Sequence, residues 1–397
     1  MKVLSKLSLV MLLGFGLTGC ALFEEDEPDP DEIPELIEIQ AQFEPDVNWQ
    51  EQVGDGVDHH FSRLTPVIDK GVVYAASREG VVSAFSVDNG DELWSVDLRS
   101  QETDGWFEEP ISMRISGGIT LAYDKLFLGT EHGQVMALNP ASGEIMWQQK
   151  VKGEVIAPPG YGEGLVVVNT GAGYIVALHP DSGETRWEYE QEVPPLTLRG
   201  ISSPVVANGG VIFGNADGKL SVLIAESGLE AWKQSVATAV GASELERLVD
   251  VDTRPVVSTD TIYSLAYNGN LIAVNLQSGQ IKWKKEYSAY LDLAISGVNL
   301  YLTDVSGHVY AVDSRNGAVV WKQTDLARRG VTGAYVDGDY VIVGDTEGYL
   351  HWLDKESGNI VSRMELDSSG FYISAIGKDK KIIVQTRDGE LSAIQTP

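Results

Sequence analysis

Apolar residues in this chain fall in short runs of four to six, bounded by glycine and by Asn, Asp or Ser, as in the run from Gln134 to Leu138. Such runs, flanked by turn formers, are typical of β-strands and not of helices. The same unit returns along the chain, and its first glycine falls at Gly80, Gly133, Gly173, Gly218, Gly269, Gly307, Gly348 and Gly389. The mean period of about 44 residues predicts a propeller or a solenoid.

A second pair of positions keeps the register of the repeat. Ten residues after the first glycine of each of the first seven copies comes another glycine, which we expect in a turn with positive φ. Four residues further on comes a tryptophan in six copies, at Trp94, Trp147, Trp187, Trp232, Trp283 and Trp321. Ser362 takes this slot in the seventh copy, where we expect a locally weaker contact between blades.

The spacing within each copy predicts four short strands with no helix between them. Four-stranded units repeated around an axis make a β-propeller, whereas a solenoid needs a shorter and more uniform coil. The eighth copy ends at Pro397 before its own fourth strand, and an unassigned match, Asp46-Val-Asn-Trp49, precedes the first copy. The sequence therefore predicts an all-β, eight-bladed β-propeller of four-stranded antiparallel blades over residues 46–397, with its ring closed by an N-terminal strand.

Residues 1–19 have the features of a bacterial secretion signal. Two lysines precede an apolar run from Leu7 to Leu17, which is too short to cross a bilayer comfortably. The residues that end in Gly19 and Cys20 resemble the lipobox of bacterial lipoproteins, and the alternative is an ordinary cleaved signal beside an incidental cysteine. On the lipoprotein interpretation Cys20 is acylated. Ala21, in place of an inner-membrane retention signal, then favours the outer membrane, facing the periplasm.

Residues 20–45 are predicted to form a lipidated, acidic and proline-rich tether. Nine of residues 24–38 are Asp or Glu, and like charges together with proline keep a segment extended. The whole chain carries a net charge of −29, which argues against a nucleic-acid partner. Cys20 is the only cysteine, so no disulfide or cysteine-based metal site is expected within the chain.

Candidate binding residues lie in the long connections between copies, which precede the second, fourth and fifth copies. Insertions gathered on one face of a repeat protein often mark its binding face. The connection before the fourth copy carries Leu196, Leu198 and Arg199, and the next one carries Asp250 and Asp252. Because adjacent blades bring these connections together, we expect one exposed surface of apolar and charged residues. The alternative is that the leucines start an inner strand and that Asp250 caps a turn.

Two further features belong to these connections. Ser243 and Glu246 have the spacing of a capping box, which predicts a short helix before the fifth copy. The first long connection, with Trp106 and Phe107, is a weaker candidate for a binding surface, and its function stays open.

Several strings resemble known families. The spacing from Ala177 to Gly183 to Trp187 resembles the tryptophan-docking motif of quinoprotein dehydrogenases, which bind pyrroloquinoline quinone. The lipobox, the eight copies and four longer strings are similar to the BamB family of outer-membrane assembly lipoproteins. These strings are Leu196-Thr-Leu-Arg199-Gly, Leu248-Val-Asp250-Val-Asp252-Thr, Ala266-Tyr-Asn-Gly-Asn270-Leu and Gly348-Tyr-Leu-His-Trp352.

The resemblance to the BamB family implies a non-enzymatic component of the β-barrel assembly machinery. It implies docking on the periplasmic polypeptide-transport-associated (POTRA) domains of the barrel protein BamA. The matching docking residues are Leu196, Leu198, Arg199, Asp250 and Asp252. Unfolded outer-membrane protein precursors are a second expected partner, and β-augmentation on an exposed blade edge is one way to bind them.

The alternative function is a periplasmic quinoprotein dehydrogenase dependent on pyrroloquinoline quinone. Members of the alcohol-dehydrogenase type have adjacent cysteines, which a chain with one cysteine lacks. The neighbouring His59 and His60 would point to opposite faces of a strand and have no clustered third ligand. No phosphate-binding glycine loop or nucleophile elbow is present either. We therefore expect no enzyme activity, no cofactor and no metal site.

Overall fold

The structure is a computed structural model that describes residues 33–60, 62–99, 111–378 and 380–396. The lipidation candidate Cys20 and the pair Trp106 and Phe107 lie outside the described residues. Across the described ranges the chain forms eight four-stranded antiparallel sheets and no α-helix. None of this part of the chain forms a helix long and apolar enough to cross a membrane.

Each of the first four blades consists of four consecutive strands, and the first strand of each blade lies on the inside of the ring. Blade 1 contains β2 (Val67–Asp69), β3 (Val72–Ala76), β4 (Val81–Ser86) and β5 (Glu92–Asp97). Blade 2 contains β6 (Ile115–Ala122), β7 (Lys125–Thr130), β8 (Gln134–Leu138) and β9 (Ile145–Lys150). Blade 3 contains β10 (Gly160–Gly162), β11 (Leu165–Asn169), β12 (Tyr174–Leu178) and β13 (Thr185–Glu190). Blade 4 contains β14 (Val205–Ala207), β15 (Gly210–Gly214), β16 (Lys219–Ile224) and β17 (Glu230–Ser235).

Blades 5 to 7 repeat this order, and blade 8 takes one strand from the N-terminal side of the chain. Blade 5 contains β18 (Val256–Ser258), β19 (Thr261–Leu265), β20 (Gly269–Asn275) and β21 (Ile281–Tyr287). Blade 6 contains β22 (Ala294–Ser296), β23 (Asn299–Thr303), β24 (Val309–Asp313) and β25 (Val319–Gln323). Blade 7 contains β26 (Tyr335–Asp337), β27 (Tyr340–Gly344), β28 (Tyr349–Asp354) and β29 (Ile360–Glu365). Blade 8 contains β30 (Ile376–Lys378), β31 (Lys381–Gln385), β32 (Glu390–Gln395) and β1 (Asp46–Gln52).

The ring closes as the sequence predicts, by an N-terminal strand. Strand β1 pairs antiparallel with β32, and Trp49 lies opposite Ala393. The same register, tryptophan opposite a small residue, joins the third and fourth strands of other blades, for example Ala177 and Trp187. The prediction of an eight-bladed ring of four-stranded antiparallel blades is confirmed.

Seven tryptophans join neighbouring blades in one common way. The indole Nε1 donates to a carbonyl oxygen in the next blade, as Trp187 does to Ala225 at 2.8 Å. Gly228, three residues after that carbonyl, has a φ of +70°, and a Cβ there would lie 2.7 Å from the Trp187 ring. The tryptophans are Trp49, Trp94, Trp147, Trp187, Trp232, Trp283 and Trp321. The positive φ predicted for the second glycine of each copy is confirmed. The indole gives a second reason for glycine at this position, because a Cβ would collide with it.

In blade 7 the tryptophan and the small residue opposite it have exchanged strands. Ser362 on β29 lies opposite Trp352 on β28, so the large side chain is on the third strand. Trp352 is fully buried, and its Nε1 donates to Thr396 Oγ1 of blade 8 at 3.3 Å. The contact between blades 7 and 8 therefore keeps a tryptophan, which the serine in the repeat slot did not predict.

Candidate partner-docking site

Two long connections meet on one face of the ring. A connection from the outer strand of one blade to the inner strand of the next always opens on the same face, which we call the loop face. Loop A (residues 191–204) joins blades 3 and 4, and loop B (residues 236–255) joins blades 4 and 5. The Leu198 N–H donates to Asp250 Oδ1 at 3.2 Å, so the two loops are in contact as predicted.

Loop A presents three candidate residues to solvent. Leu196 and Leu198 are 43% and 36% exposed, and the Arg199 side chain is 53% exposed. The inner strand of blade 4 begins only at Val205, so the alternative in which the leucines start that strand is wrong. Arg199 has a φ of +56°, a strained conformation that persists only where the surroundings enforce it.

The two aspartates of loop B are buried, which corrects the expectation of an exposed acidic surface. Asp250 is 0% and Asp252 is 3% exposed. The Asp250 carboxylate accepts from the backbone of loop A, and the Asp252 carboxylate lies directly against Gly200. A Cβ on Gly200 would be 1.8 Å from Asp252 Oδ2. The sequence suggested exposure because aspartate in a connection is usually at the surface; here both side chains support loop A from beneath.

Arg63 braces the same region from the opposite side of the ring. It lies between β1 and β2, and its Nη1 donates to Asp252 O at 2.7 Å. Its Nη2 donates to Tyr290 O at 3.1 Å, and Nη1 lies 3.6 Å from Asp292 Oδ1. Blades 1 and 5 are diametrically opposed in an eight-bladed ring, so Arg63 spans the axis at the loop face. No repeat position predicts this contact, because Arg63 lies in an irregular connection.

A buried glutamate orients Arg199. Glu131, whose side chain is 6% exposed, accepts from Arg78 Nε at 3.0 Å and from Ser116 Oγ at 2.8 Å. Arg199 Nη2 lies 3.3 Å from Glu131 Oε2 and 3.3 Å from Glu154 Oε2. Burial raises the pKa of Glu131, but the hydrogen bonds from Ser116 and Arg78 outweigh it and hold the pKa below its usual value. The sequence pattern missed both glutamates, since neither occupies a distinctive motif.

Burial also changes the protonation of the aspartates behind loop A. Desolvation raises the pKa of Asp252 to about 7; Arg63 opposes this shift, while the negative charges of Asp250 and Asp292 add to it. Desolvation likewise raises the pKa of Asp250, against the backbone hydrogen bonds that its carboxylate accepts. The support beneath loop A thus contains a carboxyl group that titrates near neutral pH.

Loop B also carries an exposed apolar turn. Ser243 N donates to Glu246 Oε2 at 3.1 Å, and Glu246 N donates to Ser243 Oγ at 3.2 Å, as in a capping box. The predicted helix is absent, however, and residues 244–247 form a single turn. One turn lacks the later hydrogen bonds that offset the cost of helix nucleation. Val240 and Leu245 are 74% and 69% exposed beside it, and the sequence did not single them out.

The histidine pair and the acidic residues form no metal site in the described part of the chain. No group of three or more His, Cys, Asp or Glu there could hold a metal ion. His59 Nδ1 lies 3.0 Å from Arg387 Nη2 on the loop face, and both His59 and His60 are exposed.

The sequence matches a family described as "Outer membrane protein assembly factor BamB", over residues 78–323 and 305–396. A relative of that name from Alteromonas naphthalenivorans is 43% identical over 403 residues, which cover 98% of this chain and 96% of the relative. A relative of the same name from Escherichia coli K12 is 41% identical over 392 residues, 98% of this chain and 99% of that one. The chain belongs to the BamB family. Loops A and B and the BamB-like strings quoted above all lie within the matched residues.

Two solved structures are similar to this chain in fold. BamB from Moraxella catarrhalis superposes with a TM-score of 0.78 at 25% identity, covering 89% of this chain and 100% of that one. A quinohemoprotein alcohol dehydrogenase from Comamonas testosteroni gives a TM-score of 0.71 at 13% identity, covering 88% of this chain and 76% of the enzyme. The second likeness is one of fold alone, and BamB-family membership does not favour the dehydrogenase alternative.

Proposed function

We propose that this protein is a lipid-anchored assembly factor for outer-membrane proteins that acts as a scaffold and not as an enzyme. Its family supports the assembly role, since the full-length relatives carry that name. Cys20 would supply the anchor and hold the ring at the periplasmic face of the outer membrane. Tethering to the membrane raises the effective concentration of the ring near any partner located there.

The proposed partner is the set of periplasmic POTRA domains of BamA, and the proposed contact is loop A. The observation that carries this proposal is the exposed group of Leu196, Leu198 and Arg199 on a backbone held by Asp250 and Asp252. A few residues supply most of the binding energy of a protein interface, and arginine is enriched among them. A loop that is ordered before binding loses less conformational entropy when the complex forms. Asp250 and Asp252 contribute to docking by holding loop A in place, and they do not contact the partner directly.

An arginine pair on the loop face gives a matched test. Arg199→Ala removes the charge from loop A, whereas Arg328→Ala removes an exposed arginine with a similar φ of +61° from the connection before blade 7. We expect the first substitution to weaken binding of the BamA periplasmic domains at least tenfold and the second to leave it unchanged, measured by calorimetry on the lipidated protein in detergent. Equal affinities for both variants would contradict the assignment of loop A.

Unfolded outer-membrane protein precursors are the proposed second partner, bound by strand addition to a blade edge. The fourth strands support this proposal, because several present exposed apolar side chains, such as Ile145 and Met146 at 48% and 51%. Extended chains pair readily with such edges. Photo-crosslinkers placed on β9 and on loop A should separate the two partners. Crosslinks of precursors only to the axial faces of the ring would count against strand addition.

The scaffold proposal also has a direct test against the enzyme alternative. Purified protein would be mixed with pyrroloquinoline quinone and calcium and assayed for a bound chromophore and for dye-linked oxidation of alcohols or sugars. We expect neither signal. Stoichiometric quinone binding with turnover would overturn the scaffold proposal, whatever the result for loop A.

A further inference from the structure

The chain before β1 lies along the outer strand of blade 7. Gln42 N donates to Val361 O at 2.8 Å, and Arg363 Nη1 donates to Ile37 O at 3.0 Å. Leu36 packs on the apolar cluster shared by blades 6 and 7. The sequence assigns this segment to the tether, and nothing in its composition predicts that it packs against the ring.

Phe43 covers the position at which other blades carry the docking tryptophan. Ser362 Oγ donates to Phe43 O at 2.7 Å, so the residue in the tryptophan slot holds the backbone of the segment. The Phe43 ring lies 5.0 Å from the Tyr340 ring and 6.3 Å from the Trp352 ring, measured between centroids. Aromatic pairs at these distances add about 1 kcal/mol beyond the area that they bury.

The junction between blades 7 and 8 explains why the segment sits there. In the other junctions the tryptophan docks on a glycine in the turn between the third and fourth strands of the next blade. In blade 8 these strands are β32 and β1, which come from opposite ends of the chain, so there is no such turn. Pro45 is buried immediately before β1, and the segment therefore runs from blade 7 directly into blade 8.

We infer that residues 36–45 form a strap, the last part of the membrane-anchor segment. The outside of blade 7 is the interaction surface that binds this strap. The strap fastens the anchor segment to the ring at the blade 7 and blade 8 junction. Blade 7 is diametrically opposite blade 3, from which loop A departs. The strap thus fixes the point at which the anchor segment leaves the ring, at Leu36, on the far side from the proposed docking loop.

The strap also sets the reach of the ring from the membrane. Cys20 and Leu36 are 16 positions apart, a length that spans at most about 55 Å. Without the strap the first ring-bound residue is Asp46, 26 positions from Cys20, and the maximum span rises to about 90 Å. This consequence rests on the proposed lipidation of Cys20, whereas the strap itself does not.

Spin labels can measure the strap directly, because Cys20 is the only cysteine of the chain. Labels would be placed by Gln40→Cys and Glu356→Cys, both at exposed positions, in the lipidated protein in nanodiscs. We expect one narrow distance distribution, at least a twofold broadening with Phe43→Ser, and no change with the matched control Ile37→Ser, whose side chain is 45% exposed. Amide exchange at Gln42 should accelerate at least tenfold in Phe43→Ser alone.

Two results would overturn the strap: a broad distribution in the unsubstituted chain, or an unchanged distribution and unchanged exchange in Phe43→Ser. If Phe43→Ser does not fold, Ser362→Ala is the second variant, because it removes only the hydroxyl that holds the segment. We expect it to accelerate amide exchange at Gln42 several-fold. Unchanged exchange in Ser362→Ala would also overturn the strap. Binding of the BamA domains should be the same in all these variants. If Arg199→Ala loses binding but keeps a narrow distance distribution, the result bears on the docking proposal and leaves the strap unaffected.

Discussion

The backbone N–H of Leu198 donates to the carboxylate of Asp250 at 3.2 Å, although the two residues are 52 positions apart and belong to connections before different blades. One partner is exposed and the other is fully buried. The Leu198 side chain is therefore available for contact with a partner, whereas the Asp250 side chain fixes the position of the Leu198 backbone. Substitutions at the two positions should weaken docking for different reasons.

Removing the acceptor of this hydrogen bond should loosen loop A without altering its exposed surface. Asp250→Ala leaves the Leu198 N–H without its acceptor, whereas Asp250→Asn keeps a side-chain oxygen at the same place. A hydrogen bond to a charged acceptor contributes about 1.5 to 3 kcal/mol, so we expect the alanine variant to bind the BamA domains about tenfold or more weakly. Calorimetry would measure the affinity, and amide exchange at Leu198 would measure the order of the free loop. If alanine and asparagine behave alike in both measurements, the hydrogen bond does not position loop A.

A glycine beside the second aspartate gives an independent test of the same support. A methyl group at Gly200 would lie 1.8 Å from Asp252 Oδ2, while at Gly171, in the nearby turn of blade 3, the nearest atom would be 3.6 Å away. Neither glycine has a positive φ, so the comparison isolates packing. We expect Gly200→Ala to lower the free energy of unfolding by about 1 to 3 kcal/mol and to reduce docking, and Gly171→Ala to change neither. Denaturant unfolding and the binding assay would show this, and equal stability of the two variants would mean that the carboxylate is free to move aside.

The repeat could be predicted from the sequence because it obeys local rules. Spacing fixes the turns and strands, and a tryptophan such as Trp187 has one physical way to meet the glycine of the next blade. The supports of loop A obey no such rule. Arg63 reaches Asp252 across the axis, a contact that follows from closure of the ring. Glu131 reaches Arg199 from another blade, a contact that follows from the packing of successive blades. Burial of the aspartates was missed for the same reason, since only the assembled loops cover them.

The stability contributed by Asp252 should depend on pH. Its pKa is raised by burial to about 7 from an ordinary value of 3.8, so the folded chain holds this proton more tightly than the unfolded chain. The favourable contribution is therefore fully present below pH 4 and is lost as the pH rises through 7. Asp252→Asn imitates the protonated form, and we expect it to gain about 2 to 4 kcal/mol relative to the natural chain between pH 4 and pH 8.

This pH dependence is measured as a difference between the two proteins, so that the other carboxylates cancel. Urea unfolding at several pH values would give the free energy of each protein, with Asp313→Asn as the control. The pKa of Asp313 is lowered to about 2, first by the side-chain hydrogen bond from Arg315, so its contribution should stay constant from pH 5 to pH 8. A constant difference for Asp252→Asn over the same range would show that its carboxyl group does not titrate near neutral pH.

The glycine beneath each docking tryptophan should be irreplaceable for two separable reasons. Gly228 and Gly164 have nearly equal φ values, +70° and +71°, but a Cβ on Gly228 would lie 2.7 Å from the Trp187 ring, whereas Gly164 has no atom within 4 Å. Gly164→Ala should therefore lose only the conformational term, about 1 to 2 kcal/mol. Gly228→Ala should lose that amount and about 1 to 3 kcal/mol more through displacement of the indole, seen as a lower urea midpoint and as a change in the tryptophan fluorescence of the protein that Gly164→Ala does not show. Equal destabilisation by the two substitutions would mean that the turn alone selects glycine and that the tryptophan packs beside it without constraining it.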